Sequence, residues 1–249
     1  MGVALSFHGR GGDLGNFEVF AASLSTQLKR AGRNAKVLRV ERRDEFFDQL
    51  LSPPLAPGDE IVELHIFAHS IGGGLFLGYG DTSLNEKRNL ALLRAKESAR
   101  RLTYEEVLEL EAGAVLTDDL TREPYLSYRP SIARYFAPQA MVKIWGCNSA
   151  IRGWTYHDNR VADPQNFIQP YYWRALNEQN TPKPSIAQAL ATYLQRTVYG
   201  ASSGSHIEVL HKGEWMPSST YKAMVGQWPS GVLVHRLNPD RGRYDAYTP

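Results

Sequence analysis

The chain has 249 residues, 43% of them hydrophobic, a single cysteine, and a net charge of +2 with lysine and arginine spread along its length. A core of ordinary size can form, while an internal disulfide and a cysteine-rich zinc site are excluded. The near-neutral balance argues against nucleic acid as a partner, no apolar run reaches membrane-spanning length, and the opening "MGVALSFHG" lacks the basic region and long apolar core of a signal peptide. Synthesis and folding in a cytoplasm are therefore expected, with any export by a machine that needs no signal peptide.

In chain order, residues 3–7, "VALSF", predict a short buried strand, followed by the glycine-rich turn "HGRGGDLGN". Residues 17–32 have helical spacing and a stop at Gly32; 35–41 predict a second strand; 43–52 predict a short helix ended by "PPLAPGDE". Residues 61–69, "IVELHIFAH", predict a third strand, apolar enough to lie centrally in a sheet. This β-α-β-α-β alternation predicts a parallel sheet with helices on its faces. "GGGLFLGYG" suits a loop or small hairpin, and the charged stretch 87–113 is ambiguous. A helix is expected over 128–138, a fourth core strand over 140–146, a polar loop after it, and a short helix within 167–179. Residues 183–195 predict a helix with Ser185 near its cap; 197–204 predict a fifth strand running into a small-residue turn; 206–217 predict a hairpin arm, and 231–237 a last strand. The simplest account is one α/β domain over 1–249, with insertions near 79–130 and 150–180.

Two chemistries compete for residues 63–74, "ELHIFAHSIGGG". In A-H-S-I-G, Ser70 nearly matches the nucleophile elbow of α/β-hydrolases, with "FHGRGG" as an early oxyanion loop and His206, His211 or His235 downstream as the base. An elbow needs a helix directly after the serine, and "IGGGLFLGYG" has five glycines in ten positions, which weakens such a helix badly. The other chemistry pairs His69 with a residue elsewhere. "MVKIWGCNSA" has the same form as "VELHIFAHSIGG": an apolar strand ending in a reactive residue, then small ones. Parallel neighbouring strands deliver their C-terminal ends to one edge, where His69 and Cys147 would meet. A cysteine nucleophile works as thiolate, an adjacent imidazole favours that form, and the imidazolium then protonates a leaving amine. Backbone N–H groups of Ser70, Gly72 and Cys147 are candidates to face the oxyanion.

These residues resemble the caspase/gingipain/separase superfamily, the clan CD cysteine peptidases, and bacterial members above all. The usual pattern there is "SHG…G-x-L-x-LG" and later "GCN-x-A"; this chain has "AHSIGGGLFLG" at 68–78, "GCNSA" at 146–150, and "SIAQALATYLQRTVYGASSGS" at 185–205. The resemblance covers roughly residues 60–80 and 130–210, as three blocks in order. It implies a caspase-like fold, a single domain with a central, mostly parallel sheet flanked by helices. It also implies His69 as general acid/base, Cys147 as nucleophile, and a protein or peptide substrate held extended at the sheet edge. The segment Ala201, Ser202, Ser203, Gly204 and Ser205 falls where the family forms part of its primary specificity pocket. The family has glycine directly after the histidine where this chain has Ser70; a positive φ there would strain serine and pass the oxyanion role to a neighbouring glycine. An α/β-hydrolase esterase using Ser70 and a catalytically silent binding module of the same fold remain the alternatives. A compact, signal-free protease suits a bacterial effector or toxin, and self-cleavage, common in the superfamily, would fall in an insertion such as 79–130.

The remaining candidates have simpler roles. His65 is expected to be structural, His8 to hold its loop, and Asp13 to serve a turn or helix cap. No metal-ligand spacing occurs, and neither metal nor cofactor is expected. Trp145, Trp154, Tyr156, Tyr171, Tyr172 and Trp173 are expected to pack core and loops, with a substrate groove as the other use.

Overall fold

The computed structural model describes residues 1–11, 17–78, 111–155, 181–227, 234–239 and 243–249, with scattered positions between 83 and 98. Strand β1 (Gly2–His8) is buried on both faces from Val3 onward, as its apolar run requires. Helix α1 (Phe17–Arg30) ends in a basic turn and is closed by Gly32 at φ 77°, where a side chain would be strained. Strand β2 (Asn34–Arg39) leads to α2 (Arg43–Leu51), whose start is capped by the Glu45 carboxylate accepting from Glu41 N at 2.8 Å and Arg42 N at 3.1 Å. Strand β3 (Glu60–Phe67) runs into a hairpin of β4 (His69–Ile71) and β5 (Gly74–Phe76), which pairs with β6 (Ala114–Leu116) in a small separate sheet. After a 3-10 turn (Asp119–Thr121) come α3 (Tyr125–Ala133), β7 (Phe136–Ile144), α4 (Ile186–Leu194) and β8 (Thr197–Ala201). Strands β9 (Ser205–His211), β10 (Glu214–Pro217) and β11 (His235–Pro239) form a third sheet carrying α5 (Ser218–Val225). Strand β12 (Tyr244–Tyr247) returns to the main one.

The main sheet has the order β12-β8-β7-β3-β1-β2. The first-named edge strand, β12, is antiparallel to β8, and the other five run parallel. The protein is thus α/β with a mixed, mostly parallel sheet flanked by helices. The chain goes outward from β1 to β2, then crosses to β3 and on to β7 and β8. That reversal makes the carboxyl ends of β1 and β3 a switch point, where open α/β sheets form a crevice. One face is covered by α2, α3 and α4 through Phe46, Phe47, Ile132, Ile186 and Leu190, packed on Leu5, Leu64 and Val142. On the other, Phe17 and Phe20 of α1 and Ile207 and Val209 of β9 pack on Phe67 and Trp145. Arg43 of α2 joins the helical layer to the small sheet: its Nη1 lies 3.3 Å from Asp119 Oδ2, which also accepts from Leu116 N at 2.8 Å.

Several sequence expectations need adjustment. The helix expected over 128–138 ends at Ala133, because Phe136 already pairs with Ile61 in β3. The ladder then skips to Glu63↔Met141, so Pro138, which has no N–H to give, falls in the unpaired bulge. The last expected strand lies later, at β11, and its residues 231–233 fall outside the described residues, as do 167–179. In the ambiguous stretch, Lys87, Leu90, Leu93, Arg94, Glu97 and Ser98 are helical and exposed. The Ser185 cap, the hairpin at 72–76 and the β9–β10 hairpin stand as expected; Ser185 Oγ accepts from Gln188 N at 3.1 Å.

Candidate functional site at the carboxyl edge of the sheet

His69 stands where β3 has ended and the hairpin begins. The two-residue turn at Gly72 and Gly73 explains the glycine run. Gly72 has φ 56°, and a Cβ on Gly73 would lie 1.7 Å from the ring of Trp154, a fully buried residue. The His69 ring meets the edge of Phe17 at 5.0 Å between centroids, and its Nε2 lies 3.3 Å from the Gly11 carbonyl. A carbonyl can only accept, so Nε2 carries the proton in that bond, and in the neutral ring the lone pair sits on Nδ1. The loop after β1 therefore orients the imidazole. It is itself tied down, with Gly9 N donating to Phe67 O at 2.9 Å and Arg10 N to Leu77 O at 2.6 Å.

The cysteine arrives on the neighbouring strand. Trp145 N donates to Ile66 O at 2.7 Å, continuing the parallel ladder past the end of β7. Gly146 then lies directly on the histidine turn: a Cβ there would be 2.6 Å from Ala68 O and 2.9 Å from Ser70 Cβ. Cys147 follows, half-buried, and Asn148 takes the left-handed conformation at φ 55°, which asparagine tolerates better than most residues. The turn is locked to β8 and the segment after it: Asn148 N donates to Ser203 O at 2.9 Å, Ala150 N to Ala201 O at 2.9 Å, and Ala201 N to Ser149 Oγ at 3.0 Å. Three sequence candidates, the His69 turn, the Cys147 turn and the 201–203 segment, are thus brought together at one edge. Asn148 N is committed to Ser203, which leaves the N–H groups nearer His69 and Cys147 as oxyanion candidates.

Ser70 meets neither the strain nor the elbow that the sequence raised for it. It does not need a positive φ; the left-handed positions here are Gly72 and Asn148. Its side chain is 1% exposed, with Oγ lacking a hydrogen-bond partner among the described residues, and a hairpin follows it instead of the helix an elbow needs. The downstream histidines of the elbow reading are engaged in or beside the β9 sheet: His206 with Glu208, His211 on the Tyr221 ring, and His235 with Ser23.

His65 is fixed as expected of a structural residue. Trp145 Nε1 donates to its Nδ1 at 3.2 Å, so Nε2–H faces Glu63 Oε2 at 2.9 Å, and that bond is the largest cause holding the Glu63 carboxyl below its ordinary range. Burial pushes the pKa of His8 down, favouring the neutral ring. Among the described residues, no three or more His, Cys, Asp or Glu side chains gather as metal ligands, and no helix is long and apolar enough to cross a membrane. Trp145 and Trp154 are buried in packing, whereas Asp13, Tyr156, Tyr171, Tyr172 and Trp173 lie outside the described residues.

Sequence reasoning missed three participants. Gly11 was hidden in a glycine run read for turns. Lys143 and Tyr244 come together only through the strand order. Lys143 Nζ lies 4.4 Å from the Trp145 ring centroid and 4.4 Å from that of Tyr244, and burial lowers its pKa. Burial first, and then the electrostatic influence of the nearby Cys147, raise the pKa of Tyr244. The chain matches no family model, no curated protein and no solved structure.

Proposed function

We propose that the protein is a cysteine endopeptidase of caspase-like fold that hydrolyses peptide bonds with a Cys147–His69 dyad. The observation that carries this reading is the contact of Gly146 with the Ala68–Ser70 backbone, which sets the cysteine turn against the histidine turn. The mostly parallel sheet with helices on both faces suits the same fold. The orientation of His69 by Gly11 suits a base whose second nitrogen does the chemistry.

In the proposed cycle His69 takes the thiol proton of Cys147. The thiolate attacks the carbonyl carbon of the scissile bond, a C–S bond forms, and the carbonyl electrons move to an oxyanion held by backbone N–H groups. Collapse breaks the C–N bond, and the amine leaves with the proton from the imidazolium. Water, deprotonated by His69, then attacks the thioester; the new carboxylate departs and the thiol is restored. Proton transfer by a positioned imidazole contributes roughly 10²–10⁴-fold to such a reaction.

The test is incubation with an unfolded protein substrate, with fragments read by mass spectrometry. The protein should cleave, and Cys147→Ala and His69→Ala should each abolish cleavage. A fluorophosphonate probe that labels Ser70, or cleavage that survives Cys147→Ala, would sink the proposal.

A further inference from the structure

Beyond the Cys147 turn the chain passes through Gly153, left-handed at φ 62°, to Trp154, whose side chain is wholly buried. The indole meets the tip of the β4–β5 hairpin, the hairpin that begins at His69. A Cβ on Gly73 would lie 1.7 Å from Trp154 Cζ2 and 2.3 Å from Cη2. Gly73 is not among the left-handed glycines, so it is the close approach of the ring, and not the backbone conformation, that requires glycine here.

The ring is held from behind. Trp154 Nε1 donates to the Pro184 carbonyl, and Lys183 N donates to Trp154 O at 2.8 Å in an antiparallel bridge. Lys183 Nζ reaches Asp118 Oδ1 at 2.9 Å and Oδ2 at 3.1 Å. Asp118 follows Thr117, whose N–H donates to Gly73 O at 2.9 Å, and Ile186 N donates to Gly72 O at 3.2 Å. Hairpin tip, β6 exit, α4 entry and Trp154 thus hold one another in a closed circuit.

This circuit bears on the dyad. The hairpin touches the cysteine turn at its base, where Gly146 rests on Ala68 and Ser70. One contact leaves a short hairpin free to pivot. A second contact at the tip, from the segment that continues the cysteine turn, fixes its direction. Leu77, just past the hairpin, accepts from Arg10 N at 2.6 Å, in the loop whose Gly11 carbonyl orients the imidazole. A tilt of the hairpin therefore moves both the ring and the acceptor that aims it.

We infer that Trp154 is a positioning residue for the dyad: it braces the β4–β5 hairpin from the cysteine side so that His69 faces Cys147. This rests on the peptidase reading above. Wholly buried, Trp154 reaches no substrate and acts only through the hairpin.

The experiment compares Gly73→Ala, Trp154→Leu, the double variant and Trp154→Phe. Carbon atoms in contact settle at about 3.5–4.0 Å, so Gly73→Ala drives tip and ring apart by about 2 Å. Trp154→Leu removes Cζ2 and Cη2 and makes room for the new methyl group. Measured are kcat and KM on one peptide that the parent cleaves, and the rate of Cys147 alkylation by iodoacetamide at neutral pH. Both are expressed per folded molecule, with folding read from melting curves. Gly73→Ala should lower kcat about tenfold or more with KM little changed, and slow alkylation toward the rate of His69→Ala. The double variant should regain several-fold of both over Gly73→Ala alone. Where Gly73→Ala does not fold, Trp154→Phe decides: it keeps an aromatic ring but loses the Nε1–H and the reach to Gly73, and kcat should fall several-fold. Variants that melt lower yet keep the parent's kcat and alkylation rate reduce Trp154 to packing and overturn the inference, as does a double variant no better than Gly73→Ala; the peptidase then still stands. A parent that cleaves nothing and alkylates no faster than His69→Ala overturns the peptidase and the positioning role together.

Discussion

At position 70 the chain buries a hydroxyl that finds no partner among the described residues, at a site where the resembled peptidases have glycine. The backbone there does not require glycine, because the left-handed turn falls two residues later, on Gly72. The cost of serine is instead its unmet hydroxyl, and a buried unsatisfied group costs ~1–3 kcal/mol. Ser70→Ala keeps the Cβ that rests on Gly146 and removes only the oxygen. It should stabilise the fold by about 1 kcal/mol, raising the melting temperature by a few degrees, and should retain peptide cleavage. A Ser70→Ala protein that folds but no longer cleaves would give Ser70 a chemical role that this account denies it. The histidine and the cysteine were legible one residue at a time, since each ends an apolar strand and is followed by small residues. The partner that orients the imidazole was not: the Gly11 carbonyl is backbone, and one glycine in a run of glycines carries no mark of it.

Among the elements, the turns after β3 and β7 form the candidate site, and their closeness depends on Gly146. Any side chain at 146 meets the Ala68 carbonyl, a backbone atom that cannot swing aside. Gly146→Ala should therefore destabilise the protein by ~1–3 kcal/mol and cut cleavage far more than that loss explains, because it wedges His69 away from Cys147. Melting curves and initial rates on the same sample separate the two effects; normal activity with an intact fold would contradict the packing described. The elements leading into the site were read correctly because strand and helix periods differ plainly in apolar sequence. Strands β6 and β12 escaped notice. "AVL" is three residues long and "YDAY" mixes polar and aromatic positions, so pairing with β5 and β8 makes them strands more than composition does. The early start of β7 was hidden by Pro138, which sits in a bulge that sequence alone does not reveal.

Over the whole molecule, the strand order gathers the candidate site residues at one edge. The switch point between β1 and β3 leaves the β1 loop beside His69, the parallel ladder brings Cys147 to the next position, and β8 and β12 supply Ala201 and Tyr244. Residues from most of the chain's length converge there, and Lys143 meets Tyr244 only because β12 folds back antiparallel on β8. That convergence was beyond a reading of local pattern, which orders strands along the chain and not across the sheet. The central claim is that His69 activates Cys147. It is tested most directly by the rate of Cys147 alkylation by iodoacetamide as a function of pH, in the parent protein and in His69→Ala. An imidazole beside the thiol favours the thiolate, so the parent should react fast near neutral pH. At neutral pH it should outpace an unactivated cysteine thiol, and His69→Ala should slow the reaction to that ordinary rate. A parent profile that coincides with that of His69→Ala, or alkylation that proceeds only as fast as the protein unfolds, would contradict the account.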